Sequence, residues 1–218
     1  MAALQTIVVP PKSNQPPKGI IVILHGWGAK AQDVLTLSQF IDLPDFQFVF
    51  PDAPLPHPYS VGGRMWYDFP NNFSFQSKPE FRDRADVSTS RQLLLDLIKS
   101  QSEQTGLPLS HIVLGGFSQG GAMTLDVGFG LPLAGLVVLS GYLHAPLKPS
   151  QVSSSPALVV HGTQDSVVPL VAAHQVRDCL QGLGVDLTYR EYNMGHEIQP
   201  IVLTQVQNFV NQLFAHKS

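Results

Sequence analysis

A chain of 218 residues that is 44% hydrophobic and only 13% charged has material for one sizeable core and too little charge for an extended, solvated polypeptide. Its formal net charge of −3, with no cluster of Lys and Arg, excludes a phosphate-backbone binder and hence nucleic-acid partners. The single cysteine, Cys179, excludes an internal disulfide and a cysteine-based zinc site, and with no secretory-type leader and no bilayer-length apolar run the expectation is a cytoplasmic protein without integral membrane association.

In chain order, Thr6–Val9 is predicted as an antiparallel edge strand, followed by a proline-rich turn at Asn14–Lys18. Ile20–Leu24 is an almost wholly β-branched run ending before Gly26, the pattern of a strand buried on both faces. Gln47–Phe50 is the next strand, stopped by Pro51. Pro51–Pro79 is predicted as a long loop carrying Trp66, Tyr67, Phe69, Phe73 and Phe75. Loops of this length are functional or disordered, and the aromatic content speaks for function, so the stretch is expected to wall a binding site.

Ala85–Gln104 places Leu93, Leu94, Leu97 and Ile98 at helical spacing and is closed by Gly106 and Pro108. The strand Ile112–Leu114 ends at Gly115-Gly116, and a helix Gln119–Phe129 follows. Leu136–Leu139 and Ala157–Val160 are strands closed by Ser140-Gly141 and Gly162-Thr163. Leu170–Leu183 and Pro200–Phe214 are amphipathic helices on either side of a last strand, Leu187–Tyr192. This alternation predicts an α/β chain: a mostly parallel, doubly wound sheet flanked by helices, in a single domain over residues 1–218.

The chemistry concentrates at Gly116-Phe117-Ser118-Gln119-Gly120, a G-x-S-x-G pattern set between a strand and a helix. Read alone, it is a glycine-rich turn whose serine caps a helix. Two further residues change the weighing. Asp165 lies just past the strand Ala157–Val160, and His196 just past the strand Leu187–Tyr192, in the order serine, acid, histidine. A serine hydroxyl is a weak nucleophile until an imidazole takes its proton, and a carboxylate then orients that imidazole. Ser118, Asp165 and His196 are therefore the candidate catalytic residues. The backbone N–H groups of Trp27, in the loop after Ile20–Leu24, and of Gln119 are the candidate oxyanion donors. His161 precedes Asp165 too closely to be the base and reads as structural. His57, His111, His144, His174 and His216 follow no strand end facing the turn.

Leu24-His25-Gly26-Trp27-Gly28, Gly115 to Met123 around Ser118, His161-Gly162 with Asp165 and Pro169, and Gly195-His196 resemble the phospholipase/carboxylesterase family over nearly the whole chain. The resemblance implies the α/β-hydrolase fold without a large cap domain, the same three catalytic residues, and Trp27 with Gln119 at the oxyanion hole. Trp66-Tyr67-Asp68 is similar to the family's Trp-Phe-Asp stretch. The sequence departs from the family's Leu-His-Gly-Leu-Gly-Asp at Trp27 and Ala29, and the bulky indole is expected to shorten or reshape an acyl pocket.

The expected function is therefore a serine carboxylesterase acting on a small-molecule acyl ester or thioester, needing no cofactor and no metal. Acyl-protein thioesterase and lysophospholipase are alternatives with the same triad. Met65, Trp66, Leu143 and Val168, with Trp27, are candidate substrate-binding residues, each equally readable as core. Arg64, Arg82 and Arg84 read as solvated surface, and the low charge is compatible with a homodimer. Two readings of other classes are a non-turnover ligand receptor on a hydrolase fold and a dinucleotide binder. The second rests on Gly26-Trp27-Gly28-Ala29-Lys30-Ala31 with Asp52 beyond the next strand, and it leaves the ordered Ser, Asp and His unexplained.

Overall fold

The computed structural model describes residues 3–69, 71, 73–75, 80–148 and 155–215. Seven strands form one sheet in the order β1-β3-β2-β6-β7-β8-β9. They are β1 (Thr6–Val9), β2 (Gly19–Leu24), β3 (Phe46–Pro51), β6 (Ile112–Phe117), β7 (Gly135–Leu139), β8 (Ala157–Gly162) and β9 (Leu187–Tyr192). Only β1 runs antiparallel, pairing with β3 from Thr6↔Pro51 to Val9↔Phe48; the other pairings are parallel.

The period-two alternation of each central strand divides its side chains between two cores. Ile20, Val22 and Leu24 of β2 enter one cluster with Leu94 and Ile98 of α2 (Ala85–Thr105), Met123 of α3 (Gln119–Gly128) and Val176 of α4 (Leu170–Gly182). Ile21 and Ile23 enter the other with Val34 of α1 (Ala31–Leu35) and Val202, Val206 and Val210 of α5 (Pro200–Phe214). Both faces are covered, so all six residues of β2 are buried. That is why its sequence reads as a continuous apolar run.

The main departures from the sequence reading are these. β6 does not end at Leu114 but continues through Gly115 and Gly116 to Phe117, with Leu24 of β2 opposite Gly116 and Val137 of β7 opposite Gly115. The glycines stay in the strand because α3 and β7 press on it: a Cβ at Gly116 would collide with the backbone of Gly120, and one at Gly115 would lie 3.1 Å from Val137 Cβ. Within the stretch read as loop, β4 (Leu55–Pro56) and β5 (Arg64–Met65) form a small antiparallel hairpin. Positions 70, 72 and 76–79 of that stretch lie outside the described residues. Finally α1 and the 3₁₀ turn Thr36–Gln39 occupy a segment with no predicted element, since a five-residue helix is too short to show a period.

Candidate functional site

Ser118 stands between β6 and α3 with φ 55° and ψ −115°, a region that an L-residue with a side chain rarely adopts. Its N–H donates to Leu139 O (2.8 Å) and its carbonyl accepts from Ala122 N–H (3.0 Å), so the conformation is held from both sides. The turn closes on glycines because a Cβ at Gly120 would overlap the carbonyl of Leu24 at the end of β2. The result is a serine at the carboxyl edge of the central strands, on the first turn of a helix and only 9% exposed.

Two strands further along, the ends of β8 and β9 are bound to each other. Thr163 N–H donates to Tyr192 O (2.8 Å) and Gln164 N–H to Met194 O (3.1 Å). A Cβ at Gly162 would collide with Met194 O, so only glycine permits this approach. Asp165 follows within this junction and is buried. Its Oδ1 accepts the N–H groups of Val167 (2.9 Å) and Val168 (2.8 Å). Its Oδ2 accepts from His196 Nδ1 at 2.7 Å. A proton on Nδ1 leaves Nε2 of His196 as the free acceptor. The His196 ring leans on Phe117, the residue before Ser118, with ring centroids 4.6 Å apart. Ser118, Asp165 and His196 thus stand at the carboxyl ends of β6, β8 and β9, on one rim of the sheet.

His161, at the end of β8, is fully buried and bonds Val168 O through Nε2 (2.8 Å), 3.5 Å from Asp165 Oδ2. Burial pushes its pKa below the ordinary histidine value, so it stays neutral and holds the loop that carries Asp165.

The loop after β2 reaches the same rim. An added Cβ on Gly26 would lie 3.5 Å from Ser118 Cβ, and Trp27 is the next residue. The loop is fastened to β5 by Gly28 N–H to Arg64 O and Arg64 N–H to Ala29 O, both 2.9 Å. Gly28, at φ 79°, makes the turn that Trp27 needs. The N–H of Gln119, first in α3, precedes any intrahelical acceptor.

The side chain of Gln119 carries a role that no local pattern announces. It is fully buried, its Oε1 accepting Trp66 N–H (2.8 Å) and its Nε2 donating to Tyr67 O (2.7 Å). His25 is likewise fully buried: Nδ1 bonds Gly26 O (2.7 Å), Nε2 accepts Ala53 N–H (3.0 Å), and its carbonyl accepts Trp66 Nε1–H (2.9 Å). Burial lowers its pKa, which suits an imidazole that must accept a hydrogen bond.

Of the apolar candidates, Trp66, Leu143 and Val168 belong to one core cluster, while Met65 is buried outside it. Exposed large side chains include Trp27 in the loop after β2, Tyr59 and Val61 between β4 and β5, and Val167 two residues after Asp165. The arginines read as solvated surface are engaged. Arg64 donates to Ala53 O and Pro54 O, and Arg84 pairs with Asp86. Arg82 and Arg91 both bind the buried Asp126 of α3, at 2.6 and 2.7 Å. Burial would raise the Asp126 carboxyl, but His144 and the guanidiniums hold its pKa below the usual value. Beside this group His144 Nε2 bonds Tyr67 OH (2.8 Å), which bonds Tyr142 OH (2.6 Å).

Among the described residues, no group of three or more His, Cys, Asp or Glu is arranged to hold a metal ion, and no helix is long and apolar enough to cross a membrane.

The sequence pattern of the phospholipase/carboxylesterase family matches residues 5–214. The chain is 33% identical over 202 residues to acyl-protein thioesterase 1 of Neurospora crassa, covering 86% of this chain and 81% of that one. It is 31% identical over 208 residues to acyl-protein thioesterase 1 of Gibberella zeae, covering 89% and 87%. Among solved structures, esterase PE8 superposes with a TM-score of 0.87 at 29% identity, over 97% of this chain and all of that one.

Proposed function

The chain belongs to the phospholipase/carboxylesterase family and has the α/β-hydrolase fold, and from that premise we propose that it is a serine carboxylesterase cleaving carboxylic esters of apolar acyl groups through Ser118, His196 and Asp165. The observation that carries this reading is the His196 Nδ1–Asp165 Oδ2 hydrogen bond of 2.7 Å, its imidazole resting on the residue that precedes the strained serine.

The steps follow from the groups present. His196 Nε2 takes the proton of Ser118 Oγ as the oxygen attacks the ester carbonyl, forming a tetrahedral oxyanion. The backbone N–H groups of Trp27 and Gln119 donate to that oxyanion, and their fixed positions spare the cost of reorienting solvent. Collapse expels the alcohol, which takes the proton from His196 and leaves acyl-Ser118. Water, deprotonated by His196, then attacks the acyl group, and the carboxylic acid leaves as the serine recovers its proton. Asp165 keeps the imidazole in the required tautomer and stabilises the imidazolium, while its Oδ1 is held by two backbone donors.

Ser118→Ala tests the reading. Hydrolysis of p-nitrophenyl acetate is expected to fall by roughly 10³-fold or more while circular dichroism is unchanged; activity retained within tenfold overturns the assignment. A second reading, thioester hydrolysis on an acylated protein, is favoured by what the fungal relatives are called. The same triad serves both, and comparing kcat/KM for an ester and a thioester of one acyl group separates them.

A further inference from the structure

We propose that the side chain of Trp27 sets the acyl-length limit of this enzyme and restricts it to esters of short acyl groups; the inference rests on the esterase reading above. Trp27 is 39% exposed, whereas Trp66 is fully buried. An exposed indole in the loop that reaches the rim of Ser118 would ordinarily be free to swing aside. Here it is wedged. The His57 ring stands nearly perpendicular to it with centroids 4.0 Å apart, and the Phe69 ring at 5.8 Å.

His57 is itself fixed. Its Nδ1 accepts Tyr59 N–H (3.1 Å), so in the neutral ring the proton is on Nε2. That Nε2 is buried and makes no hydrogen bond. The electron-rich indole packed against the ring supplies the kind of surface on which an otherwise orphaned N–H is tolerated. The backbone under Trp27 is pinned to β5 through Gly28 and Ala29, so neither end of the residue can yield cheaply.

Behind the indole, further aromatic rings pack on one another. Phe69 packs on Phe73 at 5.1 Å and on Tyr142 at 6.2 Å. The crevice bordered by Phe73, Phe75, Tyr142, Leu143 and Ala172 has a volume of about 0 Å³ for a water-sized group. On the opposite face of the sheet, an apolar cavity reached past Phe117 offers only about 20 Å³, the space of about one water molecule. A wider groove, about 830 Å³, is lined by Arg82, Arg84, Arg91 and Lys148 with Glu80 and Asp83. Phe81, Ala145, Pro146 and Leu147 also line it, so its apolar wall is interrupted by these charges. Among the described residues, neither of the two apolar spaces has room for a long acyl chain, and the fixed indole stands in the loop that reaches the rim of Ser118.

The test is a panel of p-nitrophenyl acetate, butyrate, octanoate and decanoate on the whole protein, its Trp27→Leu and His57→Leu variants, and Ser118→Ala. The wild type is expected to favour acetate over octanoate in kcat/KM. Trp27→Leu should raise the octanoate-to-acetate ratio by about tenfold, the effect of admitting roughly two more methylenes. His57→Leu should move the ratio the same way by a smaller factor, since it frees the indole without removing it. A ratio unchanged in Trp27→Leu, or a wild type that prefers octanoate, overturns the proposal; a ratio unchanged in His57→Leu overturns the clamp. Acetate turnover that survives in Ser118→Ala would instead remove the esterase reading beneath it.

Discussion

At Asp165 the two carboxylate oxygens divide their duties: Oδ1 is saturated by the N–H groups of Val167 and Val168, and Oδ2 meets His196. Asp165→Asn replaces one acceptor by an NH₂ donor, and wherever the amide turns it faces an N–H. The imidazole is then free to adopt the tautomer whose Nε2 carries the proton and cannot act as base. On the proposed mechanism kcat for p-nitrophenyl acetate is expected to fall by about 10³–10⁴-fold with the fold retained; a fall of under tenfold would contradict the role given to this carboxylate. At this scale the sequence was readable where a residue sits in a patterned turn, as Ser118 does between two glycines. It was mute about Gln119 and His25, whose side chains bond backbone groups of Trp66, Tyr67 and Ala53, far along the chain. Hydrogen bonds to distant main chain require no residue type at the partner, so they leave no mark in the sequence.

Among elements, the junction of β8 and β9 is the one on which the site depends. The carbonyls of Met194 and Gly195 occupy the space that any side chain at Gly162 would need. Gly162→Ala is expected to cost about 1–3 kcal/mol, as overpacking generally does, lowering Tm by several degrees. On the proposed mechanism it should also reduce kcat more than a Tm loss alone explains, because the displaced strand ends carry Asp165 and His196. Thermal denaturation and turnover at a temperature well below Tm measure both, and an alanine variant with unaltered kcat would show that the junction has slack. The long strands were legible because burial on both faces writes a continuous apolar run, as in Ile20–Leu24. β4 and β5, two residues each, and the five-residue α1 are made by tertiary contact, and segments that short hold no periodicity to read.

For the molecule as a whole, pH is the informative variable. His25, His144 and His161 are buried, and burial lowers the pKa of each. A histidine whose folded pKa is depressed binds fewer protons folded than unfolded, so its contribution to stability is complete above the unfolded value of about 6.5 and is lost as pH falls toward the folded value. The lowered carboxyl of Asp126 acts in the same direction at more acidic pH. Tm is therefore expected to drop between pH 7 and pH 5, and His144→Gln should flatten that slope; a Tm indifferent to acid would mean that the folded histidines take up protons as readily as the unfolded ones.

One more consequence follows from the backbone of Ser118. Its φ of 55° and ψ of −115° are the mirror image of an ordinary extended residue, a shape natural to glycine and foreign to any L-side chain. Such a residue costs on the order of 1–3 kcal/mol. Ser118→Gly should therefore melt a few degrees higher than the natural protein and, on the proposed mechanism, be inactive. The difference in melting point would measure how much robustness the fold forgoes to hold one hydroxyl in place.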